Sequence, residues 1–335
     1  MFSSLYLKIL VNIVLEHSKT IIYIELLNKK NVVSSAEETF NESYFSAEMY
    51  EYIVSYTKES PFFYISVLDN SISQGAVPAC SAKNILYYKD VSSCEYKSYK
   101  DKWTYYTEKS NIYDIKKAYN KIGVDFIFSP FIVLNNFFKD KVDSHFAMFI
   151  LVEEDTLCLS VFDTSELLYA QYLSMDREVE DDLVLEYNSL DLEGDEEESI
   201  DLDDIDAIDD IDELDDFGDI ADLDSIEDID EFSESKDIEE EFAETQDDSE
   251  NTPSESEAGF NEDYQRFLLI QSSINSFYKN EKYKSEFIEN VYIADSIGVS
   301  GDLKKYLEEE MFLNVYIRQI HLPAEVCEIA KMELS

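Results

Sequence analysis

Three histidines, four cysteines and 75 carboxylates are the groups in this 335-residue chain that could hold a metal, act as a nucleophile or share a proton. His17, His145 and His321 stand far apart, with no HxxxH or HExxH spacing, so they are expected at turns and on the surface rather than around a cation. Cys80, Cys94, Cys158 and Cys327 form no CxxC pair, and Cys158 falls at an inward position of an apolar run, where a thiol is inert. Asp125, Asp143 and Asp163 could be drawn into an acid–base pair, but among 75 acids a chance pair is expected and none is assigned a catalytic role. An EF-hand loop around Gly194 would take its ligands from Ser189, Asp191 and Glu193, and one around Gly218 from Glu213, Asp215 and Phe217. Neither set satisfies the calcium-loop pattern, which leaves weak, non-stoichiometric cation binding. No catalytic, cofactor-binding or metal-ligating residue is expected.

The acids are concentrated rather than spread. Residues 176–263 hold 42 of them against 2 basic residues, a charge of −40 out of the total −49, and the remaining −9 is ordinary for a folded domain. Within that block, DLDDIDAIDDIDELDDFGDIADLDSIEDIDEF places an apolar residue at every third position from Leu202 through Ile205 and Ile208 to Phe232. Successive apolar residues at that spacing turn by about 300° around a helix and miss the strand period, so neither element gains a buried face. A disordered segment is expected, and a solubilising spacer and a tethering segment for a basic partner both fit its composition. The charge argues against nucleic-acid binding and against electrostatic docking on anionic lipid.

The elements that must position any site follow from apolar periodicity. Strands are expected near 5–15, 19–27 and 30–36, a helix near 46–58 and a strand in PFFYISVLD. An irregular Tyr-rich stretch follows, then the helix NIYDIKKAYNKIG, the strand VDFIF and a helix started by Pro130. The run YYKDVSSCEYKSYKDKWTYY mixes rings and lysines, but its acids offset the charge and a structural or protein-contact role is expected rather than a nucleic-acid surface. FAMFILVEE, DTLCLSVFD and ELLYAQYLS then open a second set, completed beyond the acidic block by RFLLIQSSINSFYKN, ENVYIADS, DLKKYLEEEM, LNVYIRQI and a helix from Pro323. Each half reads β-β-β-α-β-α-β-α, and Asp114-Ile115-Lys116-Lys117 and Asp302-Leu303-Lys304-Lys305 are each expected to open a helix, which argues duplication. The domain expectation is a first lobe over 1–140, the opening strands of a second over 141–175, the acidic insertion over 176–263 and the rest of the second lobe over 264–335. MFSSLYLKILVNIVLEHSK lacks a basic leader and a cleavage site, so a buried strand is expected there rather than a signal peptide, and no segment is expected to span a bilayer.

WTYYTEKSNIYDIKKAYNKIGVDFIFSPFIVLNNFF, FAMFILVEEDTLCLSVFDTSELLYAQYL and ENVYIADSIGVSGDLKKYLEEEMFLNVYI resemble the PilM family of type IV pilus assembly proteins and the related GspL domain of type II secretion. The resemblance implies an actin-like (ribonuclease H-like) α/β fold of two duplicated lobes. It also implies a protein partner, an inner-membrane assembly protein similar to PilN that docks through a short cytoplasmic peptide, with the chain in the cytoplasm and held at the inner membrane through that partner. Actin-like ATPases hold phosphates on Asp-x-Gly hairpins, because only Gly lets the backbone approach closely enough. At the matching positions this chain has Leu15-Glu16-His17 and Leu151-Val152-Glu153, followed by Glu154 and Asp155. The turn that would take the adenosine side reads Asp295-Ser296, with Gly298 and Gly301 displaced along it. The Glu-rich helix of the family's inserted subdomain is expected to be missing from 78–105. These departures imply a pseudo-ATPase scaffold without nucleotide or other cofactor. A divergent actin-like ATPase and an interaction protein acting mainly through its acidic segment are the alternatives.

Overall fold

The computed structural model describes residues 7–143, 146–175, 255–299 and 301–334. The expectation of disorder over residues 176–254 of the acidic block, the two glycine loops tested for calcium spacing and His145 lie outside the described residues, whereas residues 255–263 of that block are helical.

The apolar run KILVNIVL forms β1 (Lys8–Leu15), nearly all of it buried on both faces. A strand without alternation suits the centre of a sheet that helices cover on both sides. It pairs antiparallel with β2 (Thr20–Asn28), which pairs antiparallel with β3 (Asn31–Phe40). On its other side β1 runs parallel to β4 (Phe62–Leu68), and β4 parallel to the short β8 (Phe126–Phe128). Helix α1 (Ala47–Thr57) is started by Ser46, whose side chain accepts the Met49 N–H at 3.4 Å, and it buries Met49 and Ile53 on the outer face of this sheet.

The second lobe repeats the plan. β9 (Ala147–Val152), β10 (Thr156–Asp163) and β11 (Glu166–Ser174) form an antiparallel meander, and β12 (Asn290–Asp295) and β13 (Asn314–Gln319) add parallel beyond β9. The strand orders are β3-β2-β1-β4-β8 and β11-β10-β9-β12-β13. The same order and the same mixture of directions recur in both halves, as duplication requires. Helices α6 (Glu255–Lys279) and α7 (Gly301–Glu309) cover the outer face of the second sheet through Phe267, Ile270, Ile274, Leu303 and Leu307.

Between the sheets lie α4 (Pro130–Phe137) and α8 (Leu322–Glu333), each with a Pro in its first turn. They are exchanged: α8 packs on β1, β2 and β4 of the first lobe, and α4 on β9 and β10 of the second. Phe131, Leu134, Phe149, Phe162, Val326 and Ile329 form one apolar layer that joins the lobes. A short helix, α5 (Lys139–Val142), leads into β9.

Four expectations need correction. The Tyr-rich stretch after PFFYISVLD is no irregular run: β5 (Gln74–Val77), α2 (Ala82–Tyr88), β6 (Cys94–Tyr99) and β7 (Trp103–Glu108) make a three-stranded antiparallel sheet with one helix, in the order β5-β7-β6. Gly75 is needed in it, because a Cβ there would strike the Tyr106 ring and hydroxyl. α2 carries no Glu, so the insert is present without a Glu-rich helix. Asp114 does not open a helix, since α3 (Lys109–Ala118) begins five residues earlier, whereas Asp302 stands at the second residue of α7. β3 reaches Phe40, past its expected end, because the β2 ladder holds a strand whose side chains are almost all exposed. The helix expected over RFLLIQSSINSFYKN starts at Glu255, inside the stretch assigned to the acidic insertion. Among the described residues no helix is long and apolar enough to cross a membrane.

Candidate functional site: the cleft between the lobes

The β1–β2 and β9–β10 hairpins close in the same way, with the Glu16 N–H donating to the Lys19 carbonyl at 2.8 Å and the Glu153 N–H to the Thr156 carbonyl at 3.0 Å. Tight turns between antiparallel strands satisfy their own amides, so these two are no longer available to a ligand. The duplicated topology brings the hairpins face to face. His17 Nδ1 lies 2.6 Å from Asp155 Oδ2, a polar contact across the cleft, and Glu16 pairs with Lys19 at 2.8 Å.

Glu153 is the buried carboxylate of the group, 6% exposed. Burial pushes its pKa up to about 7, opposed by the hydroxyl of Thr156, which donates to Oε2 at 3.2 Å, and assisted by the charge of Glu16. The same burial raises the Cys158 thiol and the Tyr172 phenol well above their usual ranges, which makes Cys158 the inert thiol its strand position implied. Lys19 is raised as well, chiefly by its hydrogen bond to Glu16.

The third wall is the turn after β12. The buried Asp295 carboxylate accepts the N–H of Ile297 at 3.1 Å, of Gly298 at 2.8 Å and of Val299 at 3.1 Å, and Gln319 Nε2 donates to its other oxygen at 2.5 Å. Three successive amides converging on one point are an anion nest. Here the anion is the chain's own Asp295. Gly298 adopts φ +81°, the left-handed backbone that closes the loop around this carboxylate. Ser296 ties the turn back to β9, donating from both its amide and its hydroxyl to the Val152 carbonyl.

A cavity of about 590 Å³ lies between these parts, lined by Lys19, Glu154, Asp155, Asp263, Arg266 and residues 296–299. Arg266 on α6 is 3% exposed, and its guanidinium donates to Asp263 at 3.0 Å, to Glu262 at 3.2 Å and to the Glu154 carbonyl at 3.2 Å. Among the described residues that line this cavity Arg266 is the buried cation; its Nη1 and Nη2 are committed to protein oxygens, while the buried Nε makes no hydrogen bond to protein. A polyphosphate entering this space would meet the carboxylates of Glu154 and Asp155 and amides that already have acceptors.

The other sequence candidates are scattered. His321 sits just before α8, pairs with Glu37 at 2.8 Å and meets the Tyr23 ring edge-on at 5.7 Å. Asp125 accepts the Ile65 N–H, Asp143 the Ser165 hydroxyl and Asp163 the Thr164 hydroxyl, so the three do not form a pair. All four cysteines are free thiols, and among the described residues no group of three or more His, Cys, Asp or Glu could hold a metal ion. Sequence reasoning missed Arg266, Asp263 and Gln319. The spacing of Glu262 and Asp263 four and three residues before Arg266 was the available signal.

Two lobes with one strand order, exchanged central helices and a cleft between facing hairpins define an actin-like (ribonuclease H-like) α/β protein. Residues 148–335 match the family described as Domain of unknown function (DUF8341), over more than half of the chain, and the protein belongs to that family. Residues 6–135 match a second family, Domain of unknown function (DUF8569). No curated protein matches the chain. Similar solved structures include a Bacteroides thetaiotaomicron protein with actin-like ATPase fold and unknown function, 12% identical over 96% of this chain and 95% of that one at a TM-score of 0.45. The PilM–PilN type IV pilus biogenesis complex is another, 10% identical over 94% and 89% at 0.47. Component A of the Acidaminococcus fermentans (R)-2-hydroxyglutaryl-CoA dehydratase is a third, 7% identical over 96% and 97% at 0.38. The fold assignment rests on the two strand orders and their registers.

Proposed function

We propose that the protein is a non-enzymatic assembly scaffold in which the nucleotide cleft of the actin-like fold has become an internally bonded structural joint. The observation that carries this reading is Asp295, whose carboxylate fills the amide nest of the third loop, while Glu16 and Glu153 stand in the hairpins. The sequence resemblance to PilM and GspL adds the setting: a type IV pilus, type II secretion or DNA-uptake machine, with a PilN-like inner-membrane partner as the docked protein.

The inserted sheet offers a place for that partner's peptide. β6 is the free edge of the order β5-β7-β6, and its residues Glu95, Tyr96 and Lys97 line a cavity of about 220 Å³ with Tyr105, Ile112 and Phe128. An extended peptide adding to β6 would gain main-chain hydrogen bonds and place alternate side chains in this apolar groove.

Two measurements test the reading. Calorimetric titration with magnesium and ATP is expected to give no heat of binding, and a dissociation constant in the low micromolar range, about −8 kcal/mol, would return the chain to the ATPases. A photo-reactive residue in place of Tyr96 is expected to crosslink in cells to an inner-membrane protein of a pilus, secretion or uptake machine. Crosslinks to soluble proteins alone would remove the membrane setting.

A further inference from the structure

A second surface lies at the end of β1 remote from the cleft. Eight strand residues separate the two, about 23 Å at the usual rise. There Lys8, Lys29, Lys30 and Lys331, with Glu328 beside Lys331, surround a cavity of about 290 Å³ whose apolar lining is Leu27, Met332 and Leu334. Lys331 is held by Glu25 at 2.8 Å and by Glu328. Lys8, Lys29 and Lys30 pair with no carboxylate among the described residues. Outside residues 176–263 the chain carries a charge of −9, and three lysines with no carboxylate partner among the described residues around one apolar hollow are a local reversal of sign. Met332 is 51% exposed at its rim, so apolar surface is open to a ligand.

We propose that this pocket docks a short acidic peptide of a partner protein, with one branched apolar side chain entering between Leu27, Met332 and Leu334 and flanking carboxylates meeting Lys8, Lys29 and Lys30. The volume lies at the lower end of the range of about 300 to 1,000 Å³ for ligand clefts and has room for one or two side chains. At physiological salt charges act over about 8 Å, so a short peptide feels the lysines beside it. Lys29, at φ +60°, and Lys30 form the β2–β3 turn, which places both ammonium groups at this end of the sheet. This surface is distinct from the cleft, and it adjoins the β6 groove, since Lys97 of that groove pairs at 3.7 Å with Glu333, between Met332 and Leu334.

The test is fluorescence anisotropy of a labelled DDIDDLDD peptide with the full chain. Saturable binding at about 0.05 M salt is expected, weakening about tenfold at about 0.5 M. Lys29→Glu/Lys30→Glu is expected to lose about tenfold or more in affinity with its melting temperature unchanged, while Lys29→Arg/Lys30→Arg retains it. A DDSDDSDD peptide is expected to bind about fivefold more weakly or worse, because the apolar anchor is gone. Absence of saturable binding, or equal binding by the Glu variant, overturns the proposal. Lysine-dependent capture of phosphatidylglycerol vesicles without peptide binding overturns it in favour of a lipid surface.

Discussion

At pH 8 the Glu153→Gln variant is expected to be more stable than the parent by about 3 kcal/mol, and at pH 4 to show no advantage. Glu153 is buried under the β9–β10 hairpin, and its pKa is raised from 4.5 to about 7, first by burial and then by the charge of Glu16. A carboxyl whose folded pKa lies above its unfolded value binds more protons in the folded state between the two. Stability therefore falls as pH rises from about 4.5 to about 7 and stays low above it, by about 1.4 kcal/mol for each pH unit of that window. Gln keeps the shape and the acceptor for the Thr156 hydroxyl but has no charge to bury. Denaturant unfolding of parent and variant at both pH values makes the comparison, and the remaining acids cancel in the difference. An equal gain at both pH values would mean that packing, not charge, separates the two side chains. The direction also bears on the cleft: a glutamate that destabilises the neutral-pH fold stands in a hairpin where a phosphate-binding chain would need close backbone approach.

Much of this cleft is legible in the sequence because the hairpins are bounded by apolar runs that only central strands can use. KILVNIVL and AMFILV fix where β1 and β9 end, and the residues after them, Glu16 and Glu153, are then the turn residues whatever the tertiary fold. Pro130 and Pro323 mark the two central helices for the same reason, a first-turn position that tolerates the missing N–H. What escaped is decided by contacts between distant segments. The strands of the inserted sheet are four to six residues long, and β6 is largely exposed, so its alternation is no stronger than that of a polar loop. The start of α6 reads as acidic block because Glu255 and Glu257 look solvated. Asp295 is indistinguishable from a surface turn acid until the amides of residues 297–299 are seen to point at it.

Arg266 carries the other large effect. Arg266→Met is expected to destabilise the fold by about 3–5 kcal/mol, the usual loss when one member of a buried ion pair is removed. Both partners are buried, Arg266 at 3% and Asp263 at 1% exposure, and Nη1 lies 3.0 Å from Asp263 Oδ1. Methionine fills most of the stem's volume, so the loss measured is chiefly that of the charge and its hydrogen bonds to Asp263, Glu262 and the Glu154 carbonyl. Asp263 also accepts the Leu303 N–H at 3.4 Å, in the first turn of α7, and Asn at that position keeps an acceptor while removing the charge that Arg266 balanced. The double variant Arg266→Met/Asp263→Asn is therefore expected to recover more than half of the single variant's loss, read as denaturation midpoints at constant m-value. Equal destabilisation of the single and double variants would show that the stem's packing, not the ion pair, is what α6 contributes. Recovery in the double variant identifies the guanidinium as the internal counter-ion of the cleft. It joins α6 to the β9–β10 hairpin through the Glu154 carbonyl and to α7 through Asp263, a joint made inside the protein.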